Sequence, residues 1–203
     1  MFEFLTQYWY LVIVMIVAVI LTFVLWVKAA KSSAERNREK KEFIAKLERE
    51  KSLRERFSEI TTEVMEREPL EDVFEGVVAN IQRRLDKSDD MLAAFDVMND
   101  SMKYAYAAYY VFDDSKDGLS EFFKKNGRPL TPLAPKAVGT IFGDDIGAVV
   151  QEQWEIFDEE NEEKSVIPEE YDLVNKKFKN MTQNLNINEM FKNYVTQNIG
   201  DFA

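Results

Sequence analysis

Neither cysteine nor histidine occurs among the 203 residues. Without cysteine there are no disulfides, no thiolate nucleophile and no cysteine-held metal. Without histidine the commonest general base and the commonest transition-metal ligand are missing, so serine triads and zincin motifs of the usual kind cannot be built. Only carboxylate chemistry is left from the usual catalytic set, and no catalytic constellation is visible. The expectation is a protein that is not an enzyme, with no cofactor, no bound metal and no small-molecule substrate. Glycine and proline are also sparse, seven and five residues. None of them falls before Pro69, so no helix breaker interrupts the first third of the chain.

Charge is distributed in three blocks. Residues 1–27 hold Glu3 and no Lys or Arg; residues 28–60 hold eleven Lys/Arg and seven Glu; residues 61–203 hold fifteen Lys/Arg and twenty-nine Asp/Glu. An acidic body on a basic neck argues against direct nucleic-acid binding, because phosphates are repelled by it. Such a surface suits a basic protein partner, and it also keeps a protein soluble.

Tyr8 to Val27 reads YWYLVIVMIVAVILTFVLWV, twenty residues without a charge. At about 1.5 Å per residue this spans the roughly 30 Å hydrocarbon core of a bilayer. Tyr8, Trp9 and Tyr10 mark one end and Trp26 the other, as interfacial aromatics do, and Lys28 and Lys31 follow directly. A cleaved signal peptide needs a basic n-region and a shorter apolar core, and MFEFLTQ supplies no positive charge. The segment is therefore expected to be a membrane anchor in the lipid bilayer. The positive-inside rule places residues 1–7 outside and residues 28–203 in the cytoplasm, a single-pass arrangement in the inner (plasma) membrane.

Residues 28–66 are rich in Ala, Glu, Lys and Arg and are expected to continue as a charged helical neck. Leu53, Phe57, Ile60 and Val64 form an apolar seam along it, preceded by a looser stripe of Phe43, Ile44 and Leu47. The seam is too short for a coiled coil and docks either on the body or on a partner helix. The basic run sets membrane topology or touches anionic headgroups. Residues 67–203 form the acidic body, opened by Glu68-Pro69.

Within the body, apolar spacing predicts helices over Leu70–Leu85, over Asp90–Phe112 behind a Ser88 or Asp89 cap, and over Ala134–Phe142 up to Gly143. Arg128–Pro135 reads as an extended loop or a set of helix starts. Further helices are expected over Ile146–Phe157 capped by Asp144, from Pro168 to about Asn184, and from an Asn188 cap to Asn198. GLSEFFKKNG, residues 118–127, reads as a short helix with at least one of Phe122 and Phe123 in the core, stopped at Asn126-Gly127. Few stretches alternate with period two, so the fold class is all-α.

Asp113 to Gly118 begins like a calcium loop, but position 12, where a bidentate carboxylate belongs, is Lys124, and position 8 is Ser120. The stretch is read as a turn. The tyrosine row Tyr104, Tyr106, Tyr109 and Tyr110 is a stacking platform or, at i, i+4 spacing, core with wet hydroxyl tips. Candidate partner-facing residues are Phe122, Phe123, Trp154 and the acidic run Asp158, Glu159, Glu160, Glu162 and Glu163. That run also reads as a solvated loop between helices.

Residues 104–157 resemble the C-terminal domains of bacterial DNA-mimic proteins, an all-helical family. The matching positions are the tyrosine row, Gly118, Phe122, Phe123, Asn126 or Gly127, and the helix start Ala134-Pro135-Lys136-Ala137. Leu119 stands where an aromatic is usual, Glu121 where Gln is usual, and Lys-Asp-Gly replaces the Asn-Gly-Gly turn. The resemblance implies a helical interaction module, which in some relatives presents acid as a decoy for a DNA-binding protein. Two functions follow: a membrane-anchored accessory or regulatory subunit of an inner-membrane complex, or an immunity or decoy protein whose acidic face blocks a basic site.

Overall fold

A computed structural model describes residues 40–157 and 168–202, together with Met15, Trp26, Arg36 and Arg38. Among the described residues every regular element is helical and no strand occurs, as the absence of period-two alternation predicts. The chain divides into two units, Met1–Glu50 and Lys51–Ala203.

In the first unit residues 40–50 are helical. Arg38 and Glu42 pair at 2.8 Å one turn apart, an exposed contact of a few tenths of a kcal/mol, ~0.3–0.5. Phe43, Ile44 and Leu47 lie in the solvent. Met15 and Trp26 are helical and exposed. The expected span over 8–27 otherwise lies outside the described residues, as do Tyr8, Trp9, Tyr10, Lys28 and Lys31. No helix among the described residues is long and apolar enough to cross a membrane.

The second unit opens with helical residues 51–56, and here the continuous neck helix expected to residue 66 is corrected. The helix ends at residue 56, residues 57–61 turn, and α1 covers Thr62–Arg67. Leu53, Phe57 and Ile60 are essentially inaccessible, so the seam docks on the body. The turn needs no glycine because α2, Leu70–Leu85, supplies partners for the carbonyls it frees. Asn80 Nδ2 donates to the carbonyls of Phe57 at 2.7 Å and Ser58 at 2.9 Å. Thr61 then caps α1 by accepting from the Val64 amide. Arg56 clamps the same corner, donating to Glu68 at 2.7 Å and Asp72 at 2.6 Å. Those carboxylates are nearly buried, and the charge-assisted hydrogen bonds hold the Arg56 guanidinium further toward its protonated form.

The long helix expected over 90–112 is two helices, α3 (Met91–Asp96) and α4 (Asp100–Asp114). Asp90, not Ser88 or Asp89, caps α3, accepting from the amides of Leu92 and Ala93. Asn99 caps α4, accepting from Met102 N at 2.9 Å while donating to the Asp201 carbonyl at 2.6 Å. A capping asparagine held by the far end of the chain thus overrides an unbroken apolar period. A 3₁₀ turn, Ser115–Asp117, leads to α5, Leu119–Lys125.

The proline-rich stretch is not extended: α6 runs from Leu130 to Phe142, with Pro135 inside it. Gly143 closes it as expected and also precedes α7, Asp144–Ile156, in place of an Asp144 cap. Then come α8 (Pro168–Thr182), α9 (Ile187–Gln197, capped by Asn186 rather than Asn188) and α10 (Ile199–Phe202).

Helices α4, α6, α7 and α8 pack in succession, and α9 returns against α2. Gly147 on α7 lies against α6 so closely that a Cβ there would stand 2.7 Å from the Gly139 Cα. Aromatic contacts tie the layers together. Phe74 stacks on Phe191 with centroids 3.9 Å apart, and Phe112 meets Phe142 at 4.7 Å and Phe178 at 5.6 Å.

Candidate interaction surface

The chain enters α5 through Gly118 at φ 135°, a conformation that a Cβ makes costly. Asn175 on α8 then fixes the first turn, accepting from the Ser120 amide at 3.0 Å and donating to the Ser120 hydroxyl at 3.1 Å. This places both phenylalanines of the segment inside. Phe122 and Phe123 are 0 % and 1 % exposed, meet edge to face at 5.0 Å, and Phe123 reaches Phe157 at 5.6 Å. Their expected place on a partner surface is therefore corrected: both rings are buried in the core. Trp154 is half-buried against the core. Asp158, Glu159, Glu160, Glu162 and Glu163 lie outside the described residues.

The turn before α5 is held by local charge. Lys116 Nζ contacts Asp113 at 2.6 Å, and that hydrogen bond pushes the Lys116 ammonium pKa up. Lys124 is paired with Glu121 at 2.8 Å. Among the described residues no group of three or more acidic side chains gathers as a metal site would require. A cleft of ≈ 360 Å³ opens beside this turn, with Phe112, Leu119 and Phe178 among its apolar lining and Asp172 and Lys179 among its charges.

The tyrosine row is mostly interior. Tyr104 and Tyr106 are buried; Tyr109 and Tyr110 are half-buried. Tyr106 donates to Gln82 and lies 4.9 Å from the Tyr110 ring. Burial raises the pKa of the Tyr106 and Tyr109 hydroxyls, and nearby Asp113 adds to the shift at Tyr109. As a stacking platform the row has too little open face, with Tyr104 and Tyr106 buried.

Leu173 on α8 is exposed singly, whereas several exposed apolar side chains of the second unit gather at α3. Met91 is 54 % exposed, Leu92 61 % and Val97, at its C-terminal end, 85 %. The apolar period reads Met91 and Leu92 as core of one long helix. The Asn99-Asp100 break rotates them out of phase with α4, and only Phe95 of α3 is buried. The capping signal at Asn99-Asp100 was the available hint. Ala94, Val97 and Met98 line a shallow hollow of ≈ 470 Å³ with Asn99, Met102 and Asp201. Arg84 also lines it, and Asp89, Asp90, Asp96 and Asp100 are exposed along and beside α3.

No family model matches the chain, and neither a curated protein nor a solved structure matches it.

Proposed function

We propose that this chain is a membrane-anchored, non-catalytic interaction module, an accessory or regulatory subunit of a bacterial inner-membrane complex with its body in the cytoplasm. One observation carries the reading: an uncharged twenty-residue apolar segment with aromatic ends precedes a basic neck. A free-standing enzyme or decoy has no use for such a segment. The compact acidic helical body supports an interaction role, since its exposed apolar side chains lie beside carboxylates and the chain has no histidine or cysteine chemistry to offer. The second reading is a decoy or immunity protein, favoured by the excess of fourteen carboxylates over residues 61–203. Salt separates the two, because a decoy complex made by charge weakens steeply with ionic strength and a packed apolar one does not.

The absence of native cysteine makes topology directly testable. Ala148 is exposed on α7, so Ala148→Cys introduces a unique reporter thiol. The expected result is that the variant sediments with membranes and resists an impermeant thiol reagent in intact cells, then labels after lysis. Recovery in the soluble fraction removes the anchor, and labelling in intact cells inverts the orientation.

A further inference from the structure

Helix α3 is short, and its packing leaves most of its apolar side chains outside. Met91 and Ala94 lie one turn apart on α3, Val97 and Met98 follow its C-terminal end, and Ala94, Val97 and Met98 line the hollow together with Met102, Gly200 and Asp201. Single exposed apolar residues are ordinary; a contiguous set around a depression marks a contact site. Two methionines in its lining, Met98 and Met102, give it an unbranched, adaptable surface. The surrounding charge is predominantly acidic, although Arg84, which donates to the Phe202 carbonyl, also lines the hollow beside Asp201. Between residues 86 and 103 there are five aspartates and two lysines. Of the lysines, Lys103 is committed to the Asp96 carbonyl at 2.7 Å.

We propose that the α3 face is a docking site for a basic amphipathic helix of a partner protein. Apolar side chains one and two turns apart on that helix enter the hollow, and Lys or Arg on its flanks meet Asp89, Asp96 and Asp100. Charge selects this occupant: an anionic lipid surface or nucleic acid is repelled by these aspartates, and a second copy of the body would bring like charge to like. The site names the partner chemistry within the interaction-module reading and rests on that reading.

The test uses the full chain in zwitterionic detergent with a synthetic Leu/Lys amphipathic helix of about 14 residues, roughly four turns, and its Leu/Glu counterpart. Binding is read by fluorescence anisotropy of the labelled peptide. Because detergent takes up some peptide in every sample, the difference between proteins is what counts. Wild type is expected to bind the Leu/Lys helix at least about ten-fold more tightly than Met91→Asp/Val97→Asp, with little binding of the Leu/Glu helix. Asp89→Lys/Asp96→Lys keeps the apolar face and is expected to lose affinity and most of the salt dependence. All substituted positions are exposed, so unchanged thermal melts certify the variants. Equal binding to wild type and Met91→Asp/Val97→Asp overturns the site, as does equal binding of the two peptides. Dimers that dissociate in that variant overturn it too, assigning the face to a second copy. If peptide binding fails while Ala148→Cys reports the expected topology, the docking site falls and the anchored-module reading stands.

Discussion

Phe57 occupies the space that a side chain at position 76 needs. A Cβ on Gly76 would lie 2.2 Å from the Phe57 ring, inside α2 and at the centre of the corner where the chain turns. Gly to Ala in a helix interior ordinarily gains about 1 kcal/mol, while overpacking a core costs about 1–3. The steric effect wins here, and Gly76→Ala is expected to lower stability by about 1–2 kcal/mol. Gly200 has nothing within 4 Å of its added Cβ, so Gly200→Ala is expected to be neutral or mildly stabilising. Urea midpoints check the pair, and shifts of the same sign and size would refute the packing account. Gln153 poses the opposite problem. It is fully buried, and neither side-chain amide atom has a hydrogen-bond partner among the described residues. An unpaired buried amide costs about 1–3 kcal/mol. Gln153→Met keeps the unbranched shape without the polar atoms, and a gain of about 1 kcal/mol is expected by the same denaturation assay. A loss of that size would mean the amide is bonded in solution.

At the scale of elements, α5 shows how a seven-residue helix is held. Its own propensity is insufficient at that length, so its ends are tied to other helices. Gly118 and Asn175 fix the entry. At the exit Asn126 Nδ2 donates to Asp114 at 2.8 Å and to the Phe122 carbonyl at 2.9 Å. Removing a hydrogen bond to a carboxylate costs about 1.5–3 kcal/mol when the partners stay dry. Both are half-buried, so Asn126→Ala is expected to cost about 1–2 kcal/mol. A cycle with Asp114→Ala should show non-additivity, and independent effects would place the bond's energy elsewhere. The sequence reading located this helix and its Asn126-Gly127 stop. It did not assign both phenylalanines to the core, because contacts such as that of Phe123 with Phe157 are made across helices. The same reason explains the division of residues 90–112. Asn99 caps α4 through an anchor, the Asp201 carbonyl, that is about one hundred residues away.

Over the whole molecule, the body begins before its first proline. Leu53, Phe57, Ile60 and Met65 are 0 %, 0 %, 2 % and 0 % exposed. Each large apolar side chain buried is worth about 1.5–3 kcal/mol. The four together exceed about 6, against a total stability of about 5–15 for an ordinary domain. A fragment of residues 51–203 is therefore expected to melt cooperatively, and one of residues 67–203 is expected to lose that transition and bind a hydrophobic dye. Circular dichroism melts of the two decide it; matching melts would show that the corner contributes little.

Composition and periodicity alone determined that the fold is helical, that thiol and imidazole chemistry are absent, and that the body is acidic, because each follows from residue type or from spacing along a single helix. Tertiary structure decided which apolar residues are core. Phe122 and Phe123 went in and Met91, Leu92 and Val97 stayed out, although all five look alike by hydrophobicity. Burial depends on the phase and direction of a helix, and those were set by Asn80, Asn99 and Asn175, polar side chains bonding to groups 22 to 102 residues away.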